Sequence, residues 1–347
     1  MLKRMDRIKR QFKDVNYLQA AKRAYDDKPL QCSLYVTDQC NLDCSYCTEY
    51  DNTQEHPSLE DLKARLRHIR SLGTLRIALV GGEPLLHPDI VEIVRYARDL
   101  QFSTSLTTNA FPLSRTLISE LEEAGLEVMQ ISVDRMTPSA ITKKTLKSVA
   151  GRIEMMAQSS IKLHITGTIC ADTIDEARFV LDYGLSRGIP TEVRLVHAGP
   201  DQVMRVNPAT KQQQRQIIMD MIARKRDGQK VHTSDAILQY QLDLIDGRAR
   251  EDDWICAAGY KLFFVSAKGK FLECSMRPTE RDILDMTVED LKEYYRRKSC
   301  QDGCGVYCAV STSLYTAQPF KFIRGEIAPR VKQVVREFGV MKAVDRA

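Results

Sequence analysis

Cys40, Cys44 and Cys47 put three thiols within eight residues, with gaps of three and two. A compact loop can aim three thiolates at one [4Fe–4S] cube. Three protein ligands leave one iron open to a small molecule, which separates a reactive cluster from a sealed electron carrier. Zinc is the competing reading. It usually takes cysteines as a CxxC pair with further ligands, and the nearest candidates, His56 and His68, lack a convincing spacing. A second group gathers late in the chain. Cys256 precedes and Cys274 ends a pair of β-rich runs, Leu262–Val265 and Phe271–Cys274, either side of a Lys-Gly turn. Such a hairpin brings its ends together. Cys300, Cys304 and Cys308 follow, each separated by three residues. These five can converge on one metal centre, as an iron–sulfur cluster or as a structural zinc, or remain unligated. Cys32 and Cys170 fall in strands and read as core thiols.

The elements that carry these groups alternate. Ser33–Asp38 is a short apolar and β-branched strand, so the first three cysteines sit on the loop at its C-terminal end. Further strands are expected at 75–80, 102–107, 128–133, 161–169 and 191–196. Helices are expected between them at 59–72, 88–100, 114–124 with Ser114 as N-cap, 140–157 and 175–187. Six strands alternating with helices over short connections are βα units and give a parallel sheet. Six units do not close an eight-unit barrel. The fold class is therefore α/β, a partial, open (β/α)6 barrel with a small C-terminal hairpin and helix module.

In such folds, sites gather at the C-terminal ends of the strands. Gly81-Gly82-Glu83-Pro84 follows the second strand, Thr107-Thr108-Asn109 the third, Ser132-Val133-Asp134 the fourth. Paired glycines let a backbone turn sharply and approach a ligand closely. Glu83 offers a carboxylate to a cation, and Pro84 stiffens the turn. Each stretch also has an ordinary reading: a plain βα turn, an Asn suited to positive φ, an Asp capping the next helix.

The cysteine loop resembles the CxxxCxΦC signature of the radical S-adenosylmethionine (radical SAM) family, with Tyr46 as the aromatic. The resemblance covers roughly residues 31–200 and implies the partial barrel as the core fold. It implies that Cys40, Cys44 and Cys47 ligate a [4Fe–4S] cluster that binds SAM. It makes Gly81, Gly82, Glu83 and Pro84 the motif that holds the methionine amino group. Thr108 and Asn109 then line the ribose and sulfonium, Ser132 and Asp134 contact SAM, and Thr166-Gly167-Thr168 lies near the adenine. An electron from an external flavodoxin- or ferredoxin-type donor would cleave SAM, and the resulting 5′-deoxyadenosyl radical would take hydrogen from a small-molecule or peptide substrate. No acid–base pair is required for that abstraction. The Cys256 hairpin, with four residues between Gly269 and Cys274, resembles the start of SPASM and twitch modules. It implies one auxiliary [4Fe–4S] cluster held by four of the five C-terminal cysteines. Dehydrogenases among twitch-bearing relatives suggest that this cluster oxidises the substrate. Alternatives are a redox-neutral epimerase or mutase, for which Cys170 could donate hydrogen, and a lipid-modifying enzyme.

Composition is ordinary for a soluble protein, with 43% hydrophobic residues. Ten cysteines argue for thiolate ligands in a reducing cytoplasm. The start has no apolar signal region and no run spans a bilayer. The formal charge of +5 does not suggest nucleic acid. Residues 1–30 read as a basic helical extension, 31–200 as the core, 201–250 as a helical connector, 251–315 as the auxiliary module and 316–347 as a basic helical tail. Both ends are expected to pack on the core, with membrane-surface contact the less favoured reading.

Overall fold

The structure is a computed structural model and describes residues 26–169, 173–196, 209–248, 254–301 and 303–317. Of the expected terminal helical segments 1–30 and 316–347, residues 1–25 and 318–347 lie outside these residues, as does Cys170, and the described residues 26–30 are not helical. Among the described residues no helix is long and apolar enough to cross a membrane.

Nine strands form one sheet in the order β6-β5-β4-β3-β2-β1-β7-β8-β9. Strand β1 (Gln31–Thr37) has six of its seven residues buried, as a central strand covered on both faces must. It pairs in parallel with β2 (Arg76–Gly81), and parallel pairing continues through β3 (Ser103–Thr108), β4 (Val128–Ser132), β5 (Lys162–Ile169) and β6 (Thr191–Leu195). Strand β6 ends the sheet and does not return to β1, so the barrel is open.

Alternation sorts the two faces. On β4, Met129 and Ile131 are fully buried beneath the helices, while Gln130 and Ser132 point the other way. Each fully buried aliphatic side chain of this kind contributes roughly 1.5–3 kcal/mol. The covering helices are α1 (Leu59–Ser71), α2 (Ile90–Asp99), α3 (Arg115–Glu123), α4 (Leu146–Ala157) and α5 (Ala177–Ser186). Ser58 caps α1, and Ser114 caps α3 by accepting a hydrogen bond from Leu117 N, as expected.

Helix α4 departs from expectation. It begins at Leu146 rather than Ala140, with Thr145 as N-cap accepting from Ser148 N. Residues 135–145 instead form a loop that turns back toward the first cysteines, where Ser45 N donates to Ile141 O at 3.0 Å.

After β6 come α6 (Lys211–Arg226) and α7 (Asp235–Ile245). The expected hairpin is present as β7 (Leu262–Val265) and β8 (Lys270–Cys274), joined by β9 (Arg277–Asp282). Strand β7 pairs in parallel with β1, Gln31 with Leu262 through Leu34 with Val265, so the hairpin extends the barrel sheet beyond its first strand. Arg65 on α1 donates to Ala267 O at 2.8 Å and His68 Nε2 lies 2.9 Å from Met286 O. Helix α8 (Val288–Lys292) opens on a Thr287–Asp290 capping box. Helix α9 (Tyr307–Ala317), not anticipated, ends the described chain.

Candidate active site

The loop after β1 is pressed against the turn after β2. Gly82 N donates to Thr37 O at 3.0 Å and Glu83 N to Gln39 O at 2.8 Å. A Cβ on Gly81 would lie 2.1 Å from Thr37 O, and one on Gly82 would lie 2.3 Å from Gln39 O. Gly81 also has φ +145°. The glycine pair is thus required by the close approach of the chain's own backbone, the stretch that leads into Cys40. The consequence is a cavity of about 80 Å³ lined by Cys40, Cys44, Cys47, Gly81, Gly82 and Asn109, with Thr108, Ser132 and Lys144 completing its wall.

Glu83 is fully buried. Its Oε1 accepts from Leu85 N at 3.0 Å and Thr108 Oγ1 at 2.7 Å, and its Oε2 from Asn109 N at 2.7 Å. Burial pushes its carboxyl up to about 7 against these three donors. Pro84 is buried at the first position of a 3-10 turn that Glu83 caps. Asn109 does not carry the positive φ expected of it; Ala110 does, at 67°. Asn109 Oδ1 accepts from Phe111 N, which fixes the turn, and its Nδ2 donates to Asn41 Oδ1 at 2.8 Å and lies 3.9 Å from Cys40 Sγ.

Tyr46 and Asp134 form the opposite support. Tyr46 donates its hydroxyl to Asp134 Oδ2. Asp134 also accepts from Thr142 Oγ1 at 3.0 Å and Thr168 N at 3.0 Å, and Lys144 Nζ stands 3.6 Å away. Lys144 lies over the Tyr46 ring, 4.9 Å from its centroid. Burial works against the Lys144 charge, but Asp134, Tyr46 and Cys44 outweigh it and raise its pKa. Thr142 Oγ1 is 3.3 Å from Cys44 Sγ. The donor set suits an iron–sulfur cube: three sulfurs face one cavity, Thr142 and Asn109 stand beside two of them, and hydrogen bonding to sulfur is a means of tuning such a cluster.

The C-terminal cysteines form a second neighbourhood. Cys256 and Cys274 are buried, and Cys300, Cys304 and Cys308 are partly buried. Burial pushes the Cys274 thiol up to about 12, with Cys308 and Cys256 adding to the rise. Cys304 is raised by burial too, with Cys274, Cys256 and Cys300 adding. Cys300 Sγ also accepts from Arg277 at 3.4 Å. Lys298 Nζ, buried, holds Glu273 at 3.1 Å and Ala258 O at 2.7 Å, tying the hairpin to the loop before Cys300.

Residues 34–181 match the family model described as the Radical SAM superfamily. These residues are a radical SAM domain. The matched curated relatives include the PqqA peptide cyclase of Bradyrhizobium diazoefficiens, 37% identical over 107 residues, covering 30% of this chain and 28% of the relative. A probable GTP 3′,8-cyclase of Methanococcus maripaludis is 30% identical over 189 residues, covering 49% and 62% respectively. The chain thus spans less than two thirds of the length of either relative. Among solved structures, Streptococcus suis SuiB superposes with a TM-score of 0.61 at 15% identity, covering 79% of this chain and 67% of SuiB. The structure of anSMEcpe with bound AdoMet gives 0.59 at 15% identity, covering 85% and 98%. These two likenesses speak to the fold, which extends past the radical SAM domain into the C-terminal hairpin.

The radical SAM domain contains site residues that the sequence reading passed over. The helix expected from residue 140 takes in Thr142 and Lys144, but both lie in the loop that Thr145, the N-cap of α4, brings to an end. Glu49, two residues past Cys47, accepts the hydroxyl of Tyr35. Burial pushes Tyr35 well up, with Glu49, Cys308 and Cys274 contributing further. Tyr35, on β1, therefore lies within electrostatic reach of the second cysteine group.

Proposed function

We propose that this chain binds a [4Fe–4S] cluster on Cys40, Cys44 and Cys47, holds SAM beside it, and uses the radical from reductive SAM cleavage to abstract hydrogen from a peptide or small-molecule substrate. The observation that carries the reading is the single cavity that the three cysteines share with Gly81, Gly82 and Asn109. When bound, the cluster supplies one electron to the sulfonium of SAM. The chain's own residues do the rest. Gly81 and Gly82 leave backbone exposed to the methionine moiety, with Pro84 holding the turn. Glu83 has acceptor capacity beyond its three hydrogen bonds and draws the amino group. Lys144 offers a cation to the carboxylate. Thr108, Asn109 and Ser132 line the sugar side, and Tyr46 with Asp134 clamps the loop. These walls keep water and stray hydrogen donors from the radical.

Cys256, Cys274, Cys304 and Cys308 are assigned to an auxiliary [4Fe–4S] cluster, because Cys274 lies within electrostatic reach of Cys256 and Cys308 and Cys304 within reach of Cys274 and Cys256, whereas Cys300, of these thiols, acts only on Cys304. In this reading these cysteines would hold a cluster able to take up an electron from the substrate radical, and a flavodoxin- or ferredoxin-type protein would supply the first centre. A peptide substrate is supported by relatives named for peptides: the PqqA peptide cyclase, and SuiB solved with its precursor peptide SuiA.

The test is anaerobic reconstitution. About eight irons per chain are expected, as two cubes, with 5′-deoxyadenosine formed from SAM and dithionite. Four irons with zinc in the second centre would remove the electron-acceptor role. SAM regenerated rather than consumed during turnover would replace oxidation with a redox-neutral reaction.

A further inference from the structure

The lumen of the barrel holds a second set of metal-type ligands, one that includes no cysteine. His164 lies on β5 and Glu192 on β6, two strands paired in register with Thr166 opposite Glu192. His232 is brought to them by backbone: Val231 forms a bridge with Thr191, and His232 N donates to Thr191 O at 3.0 Å. One ligand atom from each of the three lies within 4.8 Å of the other two. We propose that His164, Glu192 and His232 bind one divalent transition-metal ion of the zinc class.

Four observations support the proposal. First, two imidazoles and one carboxylate are the donor set of zinc sites and of non-haem iron sites, and oxygen-seeking magnesium or calcium would not select it. Second, the two imidazole rings lie 4.1 Å apart at an interplanar angle of 8°, and a tilt of the partly exposed His232 ring out of this stack aims both rings at one ion, their ligand atoms already being within 4.8 Å of each other. Third, His164 is oriented from behind. Its Nε2 lies 3.1 Å from Gln130 Oε1, and donation there leaves Nδ1 with its lone pair, the arrangement that fixes a ligating imidazole. Fourth, Glu192 is 1% exposed and His164 is 9% exposed, so the ligands are already withdrawn from water.

Glu192 has other partners, and they leave room. Oε1 accepts from Thr166 Oγ1 at 3.3 Å and from Arg194, and Oε2 accepts from Thr233 Oγ1 at 2.6 Å. A carboxylate offers about four acceptor positions. Arg194 also rests over the Tyr307 ring, 5.6 Å from its centroid, so a cation at Oε2 leaves the guanidinium a second contact. The proposal does not depend on SAM binding and can fail without touching that reading.

The experiment uses the full chain with its clusters reconstituted, incubated with Zn²⁺ and desalted. About one zinc per chain is expected beyond the iron, with X-ray absorption at the zinc edge showing only nitrogen and oxygen scatterers near ~2.0–2.1 Å. His232→Gln, at a partly exposed position that tolerates change, and Glu192→Gln should each weaken zinc retention at least tenfold with iron content unchanged. A sulfur shell near ~2.3 Å would place the zinc on cysteines and overturn the proposal. So would zinc retention equal to wild type in His232→Gln, or none in the wild type, which would leave the pair as a buried hydrogen-bonded stack.

Discussion

Glu83 is a carboxyl with no exposed surface, and its ionisation is contested by two opposing forces. Burial disfavours the charge, while Leu85 N, Asn109 N and the Thr108 hydroxyl favour it, and burial prevails, leaving the group at about 7. The sign of the consequence follows from proton counting. Between the ordinary value of 4.5 and about 7 the folded protein holds a proton that the unfolded chain has released. Stability therefore falls as pH rises through that window, by about 3 kcal/mol in all. Thermal melts of the cofactor-free chain should show Tm declining between about pH 5 and pH 7.5. Glu83→Gln should flatten the decline. It should also lower Tm throughout, because one amide nitrogen then faces a donor, at a cost of about 1–3 kcal/mol. A wild-type Tm that rises over the same interval would show that the three donors win. Ligand binding has the opposite tendency: an ammonium at Glu83 favours the ionised form, so SAM should stabilise the chain more at the upper end of the window.

At the scale of elements, the site is a crossing of two loops, and Gly82 is the point of contact. Gly82→Ala places a methyl 2.3 Å from Gln39 O, backbone that cannot rotate aside. The loop from Thr37 to Cys40 must then move. A loss of about 1–3 kcal/mol is expected, together with loss of about four irons from the first centre while the second keeps its own. Iron and sulfide analysis of the variant checks this, and a full complement of iron would mean the loop accommodates the methyl elsewhere. The same crossing explains what could be read from residue order. The cysteines, the glycine pair and the six strands announce themselves through spacing and apolar runs, and Ser114 announces its helix through capping. Thr142 and Lys144 gave no such signal. Their role arises only because the loop from 135 to 145 folds back over Cys44, which one capping threonine had to reveal. Strand β9 was equally silent. Its sequence, Arg277-Pro278-Thr279-Glu280-Arg281-Asp282, has the charge and proline of a protected sheet edge and no apolar alternation. His164, Glu192 and His232 are scattered over sixty-odd residues, and only the pairing of β5 with β6 collects them.

Across the whole molecule, the sheet joins two cysteine neighbourhoods that lie more than two hundred residues apart in sequence. Strand β1 leads into the first and pairs with β7, whose hairpin partner β8 ends at Cys274. Tyr35, on β1, sits between them, bonded to Glu49 beside the first group and sensing Cys274 and Cys308 of the second. If the second group takes an electron from a substrate held in the lumen, the two centres should be separable by mutation. Cys274→Ala should drop iron from about eight to about four per chain yet still form 5′-deoxyadenosine from SAM, since the first cavity contains no C-terminal residue. Cys300→Ala should retain both cubes, because Cys300 reaches Cys304 alone while Cys256, Cys274, Cys304 and Cys308 act on one another. Mössbauer spectra would count the clusters in each variant. If Cys300→Ala lost the second cube while Cys308→Ala kept it, the ligand assignment would shift by one helical segment, and Arg277 would become a donor to a ligating sulfur. If instead Cys274→Ala abolished SAM cleavage with its first cube intact, the second centre would have to act before the radical forms, and its place as an electron acceptor would be lost.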